Sequence, residues 1–347
     1  MLKTEIIKSF VQLGDVLLHL INADVKKTLP FPLDDEMYEN FQKCFKSQKL
    51  KNGWFTEENV MLSIKNHGDN LSYDKLIEWQ SDYGFATCPK SVLVIMAGNI
   101  PLVGFHDFVS VLISGHKIKC KLSSEDNTLL PFISEVLIKI NPQFAERISF
   151  IHGAANEFDA VIATGSNNTI SQFQTYFSNY PCLFRNNRTS IAVISGDETD
   201  DELKKLGSDI FTYFGLGCRN VSHLLVPRDY DLNNLFRNFI SFSEIVNHHK
   251  YANNYDYHRA IFMLNKIVFL DNNFLILVES DDLNSPVSVI NYHYYSSQNE
   301  IVNYLNKHKD GIQVIVGRNY LNYGSAQSPS WLDYPDNMDT MRFLLEI

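Results

Sequence analysis

One continuous apolar run, residues 92–96 (VLVIM), constrains the fold more than any other segment. Gly98-Asn99 ends this run, which has the length of a strand. A strand that is apolar at every position, without alternating polar residues, is typical of a sheet that is covered on both faces. Short apolar runs then alternate with helical patterns along the chain. Because strands alternating with helices form βαβ units, the sequence predicts a parallel sheet and the α/β class.

The predicted elements suggest two domains. An N-terminal helical region and a cofactor domain with a parallel sheet span residues 1–210, and a second α/β catalytic domain spans 211–324, with the tail 325–347 packing back. The predicted strands cover residues 92–96, 117–121, 148–151, 160–163, 191–194 and 221–226. The predicted helices cover residues 2–18, a segment beginning near Thr56, and residues 103–114, 129–140 and 229–265. Residues 266–318 are predicted as strand, helix, strand.

Composition excludes several classes of partner. The 347 residues carry a formal net charge of −10, which repels phosphate backbones and anionic lipid, so we expect no nucleic acid and no membrane insertion. The five cysteines include no CxxC pair, which favours free thiols in a reducing compartment. With no signal-peptide pattern at the N-terminus, we expect a cytoplasmic protein.

Cys218 is the strongest candidate nucleophile. It follows Gly215-x-Gly217 and precedes Arg219, so backbone and substrate can approach closely, and a thiolate attacks acyl carbons well. The alternative is a buried structural cysteine, which we accept for the other four. The two glycines are not a dinucleotide fingerprint, because Asn220 occupies the place of the third glycine.

Metal binding is not expected. No HExxH motif occurs, and His248 and His249 are adjacent, so on a helix they face different directions.

Four segments stand in order along the chain: residues 96–101 (MAGNIP), 119–125 (KCKLSSE), 163–166 (ATGS) and 214–218 (FGLGC). They resemble motifs of the aldehyde dehydrogenase superfamily, and most closely its acyl-CoA reductase branch, the LuxC-type fatty-acid reductases. The similarity covers most of residues 90–230 and, more weakly, residues 324–329 (GSAQSP). The order and spacing of the four segments together are more specific for this family than any one segment alone.

The resemblance implies catalytic roles for two residues. Cys218 would carry the acyl group, and the Asn99 amide with the Cys218 N–H would stabilise the oxyanion. Without the other segments, Asn99 is better explained as a turn residue shortly before a proline.

The resemblance also implies a cofactor site. Lys121, Ser123 and Ser124 would hold the adenosine ribose, and a lysine beside serines favours NADPH over NADH, although NADH stays open. The other reading of these three residues is an ordinary polar turn. The turn Thr164, Gly165, Ser166 would support the pyrophosphate. Its alternative is a plain strand-to-helix turn with Ser166 as the N-cap.

One departure from the family pattern is informative. Hydrolytic aldehyde dehydrogenases carry a glutamate upstream of the cysteine, and the matching residues 183–188 (LFRNNR) contain no carboxylate. Without a general base for water, an acyl-cysteine resists hydrolysis. Arg185 and Arg188 are candidates to pair with phosphates, with salt bridging as the alternative. His223 is a candidate proton donor, with a packed strand histidine as the alternative.

The resemblance thus implies an enzyme that reduces a fatty acyl thioester, on CoA or an acyl carrier protein, to an aldehyde through an acyl-cysteine. A cofactor-independent thioester acyltransferase and a non-catalytic member of the fold remain alternatives. An intact Asn99/Cys218 pair speaks against the second of these. A homo-oligomer and an acyl-activating partner enzyme are both compatible with the sequence.

Overall fold

A computed structural model describes residues 1–22 and 31–347, which divide into two compact units. The first comprises Met1–Asn186 and Ser330–Ile347, and the second comprises Asn187–Pro329. The division lies at residue 186 and not near residue 210, because the strand predicted at 191–194 pairs with strands of the second unit. The chain returns to the first unit at Ser330.

The first unit opens with four helices, of which the second and third begin at capping side chains. The Thr56 hydroxyl accepts a hydrogen bond from the Asn59 N–H, and the Asp34 carboxylate accepts one from the Met37 N–H. The 3.6-residue period of the first helix buries Phe10. The four helices are α1 (Lys3–Leu20), α2 (Asp35–Lys51), α3 (Glu57–Asn70) and α4 (Tyr73–Gln80).

A five-stranded parallel sheet, sheet A, follows in the same unit, with the strand order β3-β2-β1-β4-β5. Val92 and Val94 pack into one core cluster and Leu93 into another, so apolar side chains cover both faces, as the continuous run predicts. The elements in chain order are β1 (Ser91–Ile95), α5 (Phe105–Ile113), β2 (Lys117–Lys121), α6 (Leu129–Ile140), β3 (Ile148–Phe150), β4 (Ala160–Thr164), α7 (Asn167–Tyr176) and β5 (Cys182–Arg185).

The strand order creates a switch point at the edge of sheet A where the strands end. From β1 the chain proceeds to β2 and β3 on one side, and then crosses to β4 on the other side of β1. The connections after β1 and β4 therefore leave the sheet in opposite directions. In open α/β sheets, ligands bind at this switch point, outside the carboxyl ends of the strands.

The second unit contains a six-stranded sheet, sheet B, with the order β11-β6-β7-β10-β9-β8. All neighbours are parallel except β8 and β9. In residues 266–318 three strands precede the helix, whereas the sequence predicts one. The two additional strands have only three and four residues, so their sequence pattern is weak. The elements are β6 (Thr189–Val193), α8 (Asp200–Phe211), β7 (Val221–Pro227), α9 (Asn233–Phe239), α10 (His249–Leu264), β8 (Phe269–Asp271), β9 (Ile276–Glu279), β10 (Val289–Tyr295), α11 (Gln298–His308) and β11 (Ile312–Val316).

The final helix, α12 (Thr340–Glu346), belongs to the first unit, and its Met341 and Leu344 are buried in the core of that unit. Among the helices in the described ranges, none combines the length and the apolar character needed to cross a membrane. The α/β class and the parallel sheet that the sequence predicts are confirmed.

Candidate active site

The turn that carries Asn99 follows directly after β1. The Asn99 side chain is exposed, and the backbone on both sides of it is held by other elements. The Asn52 amide donates to the Gly98 carbonyl at 3.2 Å, and the Ser63 hydroxyl donates to the Pro101 carbonyl at 2.7 Å. The backbone position of Asn99 is therefore fixed, as a positioned hydrogen-bond donor requires.

A buried carboxylate supports the same turn. Leu102 has a left-handed backbone (φ 58°), and its N–H donates to the Asp126 carboxylate at 2.7 Å. Burial raises the pKa of Asp126 to about 6, while the hydrogen bond from Leu102 lowers it. Among the described residues, the second carboxyl oxygen of Asp126 has no hydrogen-bond partner. The strained conformation of Leu102 is thus held by a buried acid.

The segment after β2 lies against this turn. A Cβ atom added to Gly98 would lie 2.7 Å from Ser123 Oγ and 2.8 Å from Ser123 Cβ, so only glycine fits at this contact. The Ser123 hydroxyl accepts a hydrogen bond from the Glu125 N–H at 3.2 Å, and Ser124 is exposed. Lys121 is half-buried at the end of β2, and its ammonium donates to the Gly153 carbonyl at 2.6 Å.

The turn after β4 leads into α7. Ser166 is the N-cap of this helix, since its hydroxyl accepts from the Thr169 N–H at 3.3 Å. Thr164 and Gly165 are half-buried, and Ser166 is exposed. The capping role that the sequence allows for Ser166 is therefore present, and the first turn of α7 presents backbone N–H groups at the strand ends.

Sheet topology brings three of the four predicted segments together. β2, β1 and β4 are adjacent and parallel, so the turns with Lys121, Asn99 and Thr164 leave the same edge of sheet A. This edge contains the switch point, which is where a dinucleotide binds in folds of this type. Backbone N–H groups, hydroxyls and one ammonium are thus gathered there.

Arg185 does not have the role suggested for it. It ends β5, is 2% exposed, and forms a buried ion pair with Asp107. Its second nitrogen donates to the Thr340 hydroxyl at 2.7 Å. The suggested pairing of Arg185 with a phosphate is wrong for this structure, because the guanidinium already neutralises a buried carboxylate. Arg188, in the second unit, donates to the Ile312 carbonyl at 3.2 Å.

Cys218 lies in the second unit on the loop between α8 and β7. Its side chain is a half-buried thiol that takes part in no disulfide. The loop begins with three consecutive left-handed residues, Tyr213 (φ 53°), Phe214 (φ 58°) and Gly215 (φ 78°). A left-handed backbone costs a residue other than glycine about 1–2 kcal/mol, so this conformation must be stabilised by its surroundings.

The segment 324–329, which carries the weaker part of the resemblance, packs against the same loop. The buried Asp209 carboxylate, on α8, accepts hydrogen bonds from the Gly324 N–H at 2.6 Å and the Ala326 N–H at 2.9 Å. The Arg219 guanidinium donates to the Ala326 carbonyl. Burial raises the pKa of Asp209 to about 6, against the lowering effect of these bonds and of Arg219. The residue after Cys218 is therefore tied to the rest of its unit.

His223, two residues into β7, is a packed strand histidine. It is fully buried, its ring stacks on Tyr304 with a centroid separation of 5.0 Å, and its Nδ1 lies 3.0 Å from the Asp282 carbonyl. Burial lowers the pKa of His223 to about 4. This supports the structural alternative over the role of proton donor.

Comparison with known proteins identifies the family. The family described as acyl-CoA reductase (LuxC) matches residues 36–327, which is most of the chain. The chain belongs to the acyl-CoA reductase (LuxC) family. It is therefore an enzyme of the oxidoreductase class, and the resemblance drawn from the four segments is confirmed. No curated protein matches the sequence.

Solved structures similar to this acyl-CoA reductase are aldehyde dehydrogenases. The indole-3-acetaldehyde dehydrogenase AldA of P. syringae, solved as a mutant with NAD+ and IAA, has 11% identity and a TM-score of 0.66, over 91% of this chain and 72% of that chain. Aldehyde dehydrogenase 21 from Physcomitrella patens, solved with the product succinate, has 12% identity and a TM-score of 0.63, over 89% and 73%. AldC from Pseudomonas syringae, solved as a mutant with NAD+ and octanal, has 11% identity and a TM-score of 0.57, over 86% and 70%. At these identities the likeness establishes the aldehyde dehydrogenase fold.

The sequence of this acyl-CoA reductase does not reveal the residues that support the turn with Asn99 and the loop with Cys218. Asp126 and Asp209 are buried acids whose partners are backbone N–H groups, and the partners of Asp209 lie more than 110 residues away. Nothing in the local sequence distinguishes them from surface aspartates. Asn220 is a third support, because its side-chain amide hydrogen-bonds to the backbone of Asp209 and Gly217. Its local signal is weak: a polar residue directly before a buried apolar strand suggests a side chain that closes the preceding loop.

Metal binding has no structural support in the part of the chain that the structure describes. No group of three or more His, Cys, Asp or Glu side chains there is arranged to hold an ion. His249 is exposed, whereas the His248 ring packs on Phe214 with a centroid separation of 4.3 Å.

Proposed function

We propose that this enzyme reduces a fatty acyl thioester to an aldehyde with a reduced nicotinamide cofactor, through an acyl group carried on Cys218. The observation that carries the proposal is the loop of Cys218, which combines strained backbone with extensive anchoring around a half-buried thiol. Exposure alone does not single this cysteine out, because Cys88 is more exposed and Cys44 and Cys182 are also half-buried. The left-handed backbone of its loop and the resemblance of residues 214–218 to the nucleophile loop of the family support the proposal that Cys218 is the nucleophile.

The proposed first half-reaction transfers the acyl group. The Cys218 thiolate attacks the thioester carbonyl carbon, the carbonyl π electrons move to oxygen, and a tetrahedral oxyanion forms. The Asn99 amide and the Cys218 N–H are proposed as its two hydrogen-bond donors. When the tetrahedral species collapses, the bond to the leaving sulfur breaks, and the free thiol is released after it gains a proton.

The second half-reaction reduces the acyl-cysteine. A reduced nicotinamide held through the residues proposed for the cofactor site would supply the hydride, with its electron pair, that the thioester carbonyl carbon accepts. The same two donors stabilise the oxyanion of the resulting thiohemiacetal. Its collapse breaks the carbon–sulfur bond, releases the aldehyde and returns Cys218 as a thiolate for the next turnover. The kinetics should be ping-pong, with an acyl-enzyme that accumulates when the nicotinamide is withheld.

The residues at the switch point of sheet A fit a dinucleotide. The close approach of Gly98 to Ser123 leaves no room for a side chain, and the first turn of α7 offers N–H groups to a pyrophosphate. We propose that Thr164, Gly165 and Ser166 bind the pyrophosphate. Lys121, Ser123 and Ser124 would bind the adenosine ribose, and the ammonium favours a 2′-phosphate and hence NADPH. NADH is the alternative.

The lack of a carboxylate in residues 183–188 favours thioester reduction over oxidation to a free acid. A water molecule attacking the acyl-cysteine would need a general base, and the buried Arg185 cannot serve as one. The proposed acyl donors are fatty acyl-CoA and acyl carrier protein, and the proposal leaves both a homo-oligomer and a separate acyl-activating partner as assemblies to test.

The deciding experiment is acyl-CoA-dependent consumption of NADPH by the wild type and by Cys218→Ala. Cys88→Ala is the matched control, because it removes an exposed thiol from a loop of the other unit. We expect Cys218→Ala to abolish turnover and Cys88→Ala to retain it. Thioester exchange that needs Cys218 but consumes no NADPH would instead establish the acyltransferase. Equal turnover in wild type and Cys218→Ala would contradict the assignment of the nucleophile.

Asn99→Ala tests the oxyanion donor. Removing one such donor typically lowers kcat by about 10²–10³-fold. Binding of NADPH, followed by quenching of its fluorescence, should be unchanged by this substitution. A loss of NADPH binding would show that Asn99 supports the cofactor site and not the reacting carbonyl.

A further inference from the structure

We propose that Asn220 is a positioning residue for Cys218: its buried amide fixes the loop that presents the thiol and the neighbouring N–H groups. The inference rests on the proposed role of Cys218 as the nucleophile. Asn220 stands two residues after Cys218, directly before β7, and is 1% exposed.

The Asn220 amide nitrogen closes the C-terminal end of α8. It lies 3.1 Å from the Asp209 carbonyl, 3.2 Å from the Ile210 carbonyl and 2.8 Å from the Thr212 carbonyl. The last carbonyls of a helix have no partner within the helix. Because an amide has two N–H hydrogens, at least one of them is shared between two of the three oxygens. The side chain thus stabilises the point where the chain leaves α8 and enters the left-handed residues.

The amide oxygen of the same side chain holds the other end of the loop. It accepts a hydrogen bond from the Gly217 N–H at 2.8 Å, and the Asn220 N–H donates to the Gly217 carbonyl at 3.0 Å. Cys218 lies inside the turn that these two bonds close. One buried side chain therefore joins residues 209–212 to residue 217 and spans the left-handed stretch between them.

Ser190 adds an independent anchor from β6. It is fully buried, and its hydroxyl donates to the Cys218 carbonyl at 3.0 Å. The orientation of the peptide after Cys218 is thus also fixed. Asn220 and Ser190 together hold the backbone on both sides of Cys218 in place.

Replacing Asn220 by alanine removes a hydrogen-bond partner from the last carbonyls of α8, from the Thr212 carbonyl and from the Gly217 N–H. The left-handed residues Tyr213 and Phe214 then lose the bonds that oppose their relaxation to an ordinary backbone. Relaxation moves Cys218 relative to the acyl carbon. Misplacement of a reacting group by about 1 Å lowers rates by about 10²-fold.

Asn291 provides a matched control in the same unit. It is also a buried loop-closing asparagine, 6% exposed, whose amide donates to the Asp282 carbonyl at 2.9 Å and the Asn284 carbonyl at 3.1 Å. Asn291 lies in β10, and the two residues whose carbonyls accept from its amide precede that strand. A substitution at Asn291 therefore removes buried hydrogen bonds from the same unit without removing any that Asn220 or Ser190 makes.

The experiment compares full-length wild type, Asn220→Ala, Ser190→Ala and Asn291→Ala at a temperature where circular dichroism shows each to be folded. The readouts are the rate of acyl-enzyme formation from an acyl-CoA without nicotinamide, followed by intact mass, and binding of NADPH by fluorescence. Iodoacetamide labelling of the Cys218 peptide gives the fraction of competent thiol. We expect acylation to fall about 10²-fold for Asn220→Ala and about 3–10-fold for Ser190→Ala, with NADPH binding and the control unchanged.

A structural role alone would lower the unfolding temperature of Asn220→Ala but leave its acylation rate per folded molecule within about threefold of the wild type, and that result overturns the inference. An equal loss in Asn291→Ala overturns it as well. If Asn220→Ala does not fold, Ser190→Ala decides, and an unchanged rate there refutes the account of the loop. Failure of the wild type itself to form an acyl-enzyme refutes the proposed function, and the inference with it.

Discussion

Replacing Gly98 by alanine tests how closely the turn after β1 approaches the segment after β2. The φ of Gly98 lies outside the left-handed region, so alanine is compatible with the backbone and only the space is tested. The added methyl group would lie 2.7 Å from Ser123 Oγ, 2.8 Å from Ser123 Cβ and 3.1 Å from Glu125 Cβ. The hydroxyl can rotate away, but a Cβ atom moves only with its backbone. The whole segment after β2 must therefore shift.

The expected effect can be estimated from overpacking. Inserting a methyl group that forces a backbone shift typically costs about 1–3 kcal/mol. For a unit of this size, each kcal/mol lowers the unfolding temperature by about 2–4 °C, so we expect a fall of about 2–12 °C. The same shift moves Ser123 and Ser124 away from the ribose they are proposed to bind. If only 1.4 kcal/mol of that binding is lost, the affinity for NADPH falls about tenfold.

The assay pairs thermal unfolding with titration of NADPH fluorescence. Gly84→Ala is the matched control, because Gly84 is exposed and an added Cβ would meet nothing within 4 Å. The double variant Gly98→Ala with Ser123→Gly removes the closest contacts and should recover stability without recovering cofactor affinity. Unchanged stability in Gly98→Ala, or an equal loss in Gly84→Ala, would refute the close approach of the two segments.

Three further predictions address single interactions. The pKa of Asp209 is raised from 3.8 to about 6 in the folded state, so the folded state takes up a proton more readily and the associated stability is lost as the pH rises through 6. Between pH 7 and pH 5, wild type should gain on the order of 1 kcal/mol in urea unfolding relative to Asp209→Asn; parallel pH dependences would show that the carboxyl is not perturbed. Lys121→Ala should weaken NADPH about tenfold while leaving NADH nearly unchanged, and equal losses for both cofactors would place the ammonium away from a 2′-phosphate. Arg185→Met should lose about 3–5 kcal/mol in denaturant unfolding, with partial recovery when Asp107→Leu is added, whereas additive losses would exclude the buried ion pair.

The sequence predicts sheet A well because its signals are local. The run of β1, the polar-apolar pattern of β2 and the helices α5 and α6 are each defined by periodicity within ten or so residues. β5 was not predicted as a strand, since its four residues Cys182–Arg185 show little pattern and include an arginine. That arginine is buried only because Asp107, from a distant helix, neutralises it. Long-range pairing of this kind leaves no trace in the local sequence.

The residues of the candidate site likewise divide into those with local sequence signals and those that depend on long-range contacts. Asn99, Lys121 and Thr164 were predicted from motifs at strand ends, and the parallel order of β2, β1 and β4 places their turns at one edge. The supports of the Cys218 loop depend on contacts between segments far apart in the chain, such as Asp209 with Gly324. The division of the chain at residue 186 likewise follows from which sheet β6 joins, and composition does not mark it.

Mass spectrometry of the enzyme incubated with a fatty acyl-CoA, with the nicotinamide withheld, tests the central claim most directly. Trypsin releases Cys218 within residues 206–219, a peptide with no other cysteine. We predict a single acyl adduct on that peptide, which disappears with release of the aldehyde when NADPH is added. An adduct on a different cysteine, or steady NADPH consumption by an enzyme that never carries an acyl group on Cys218, would contradict the account.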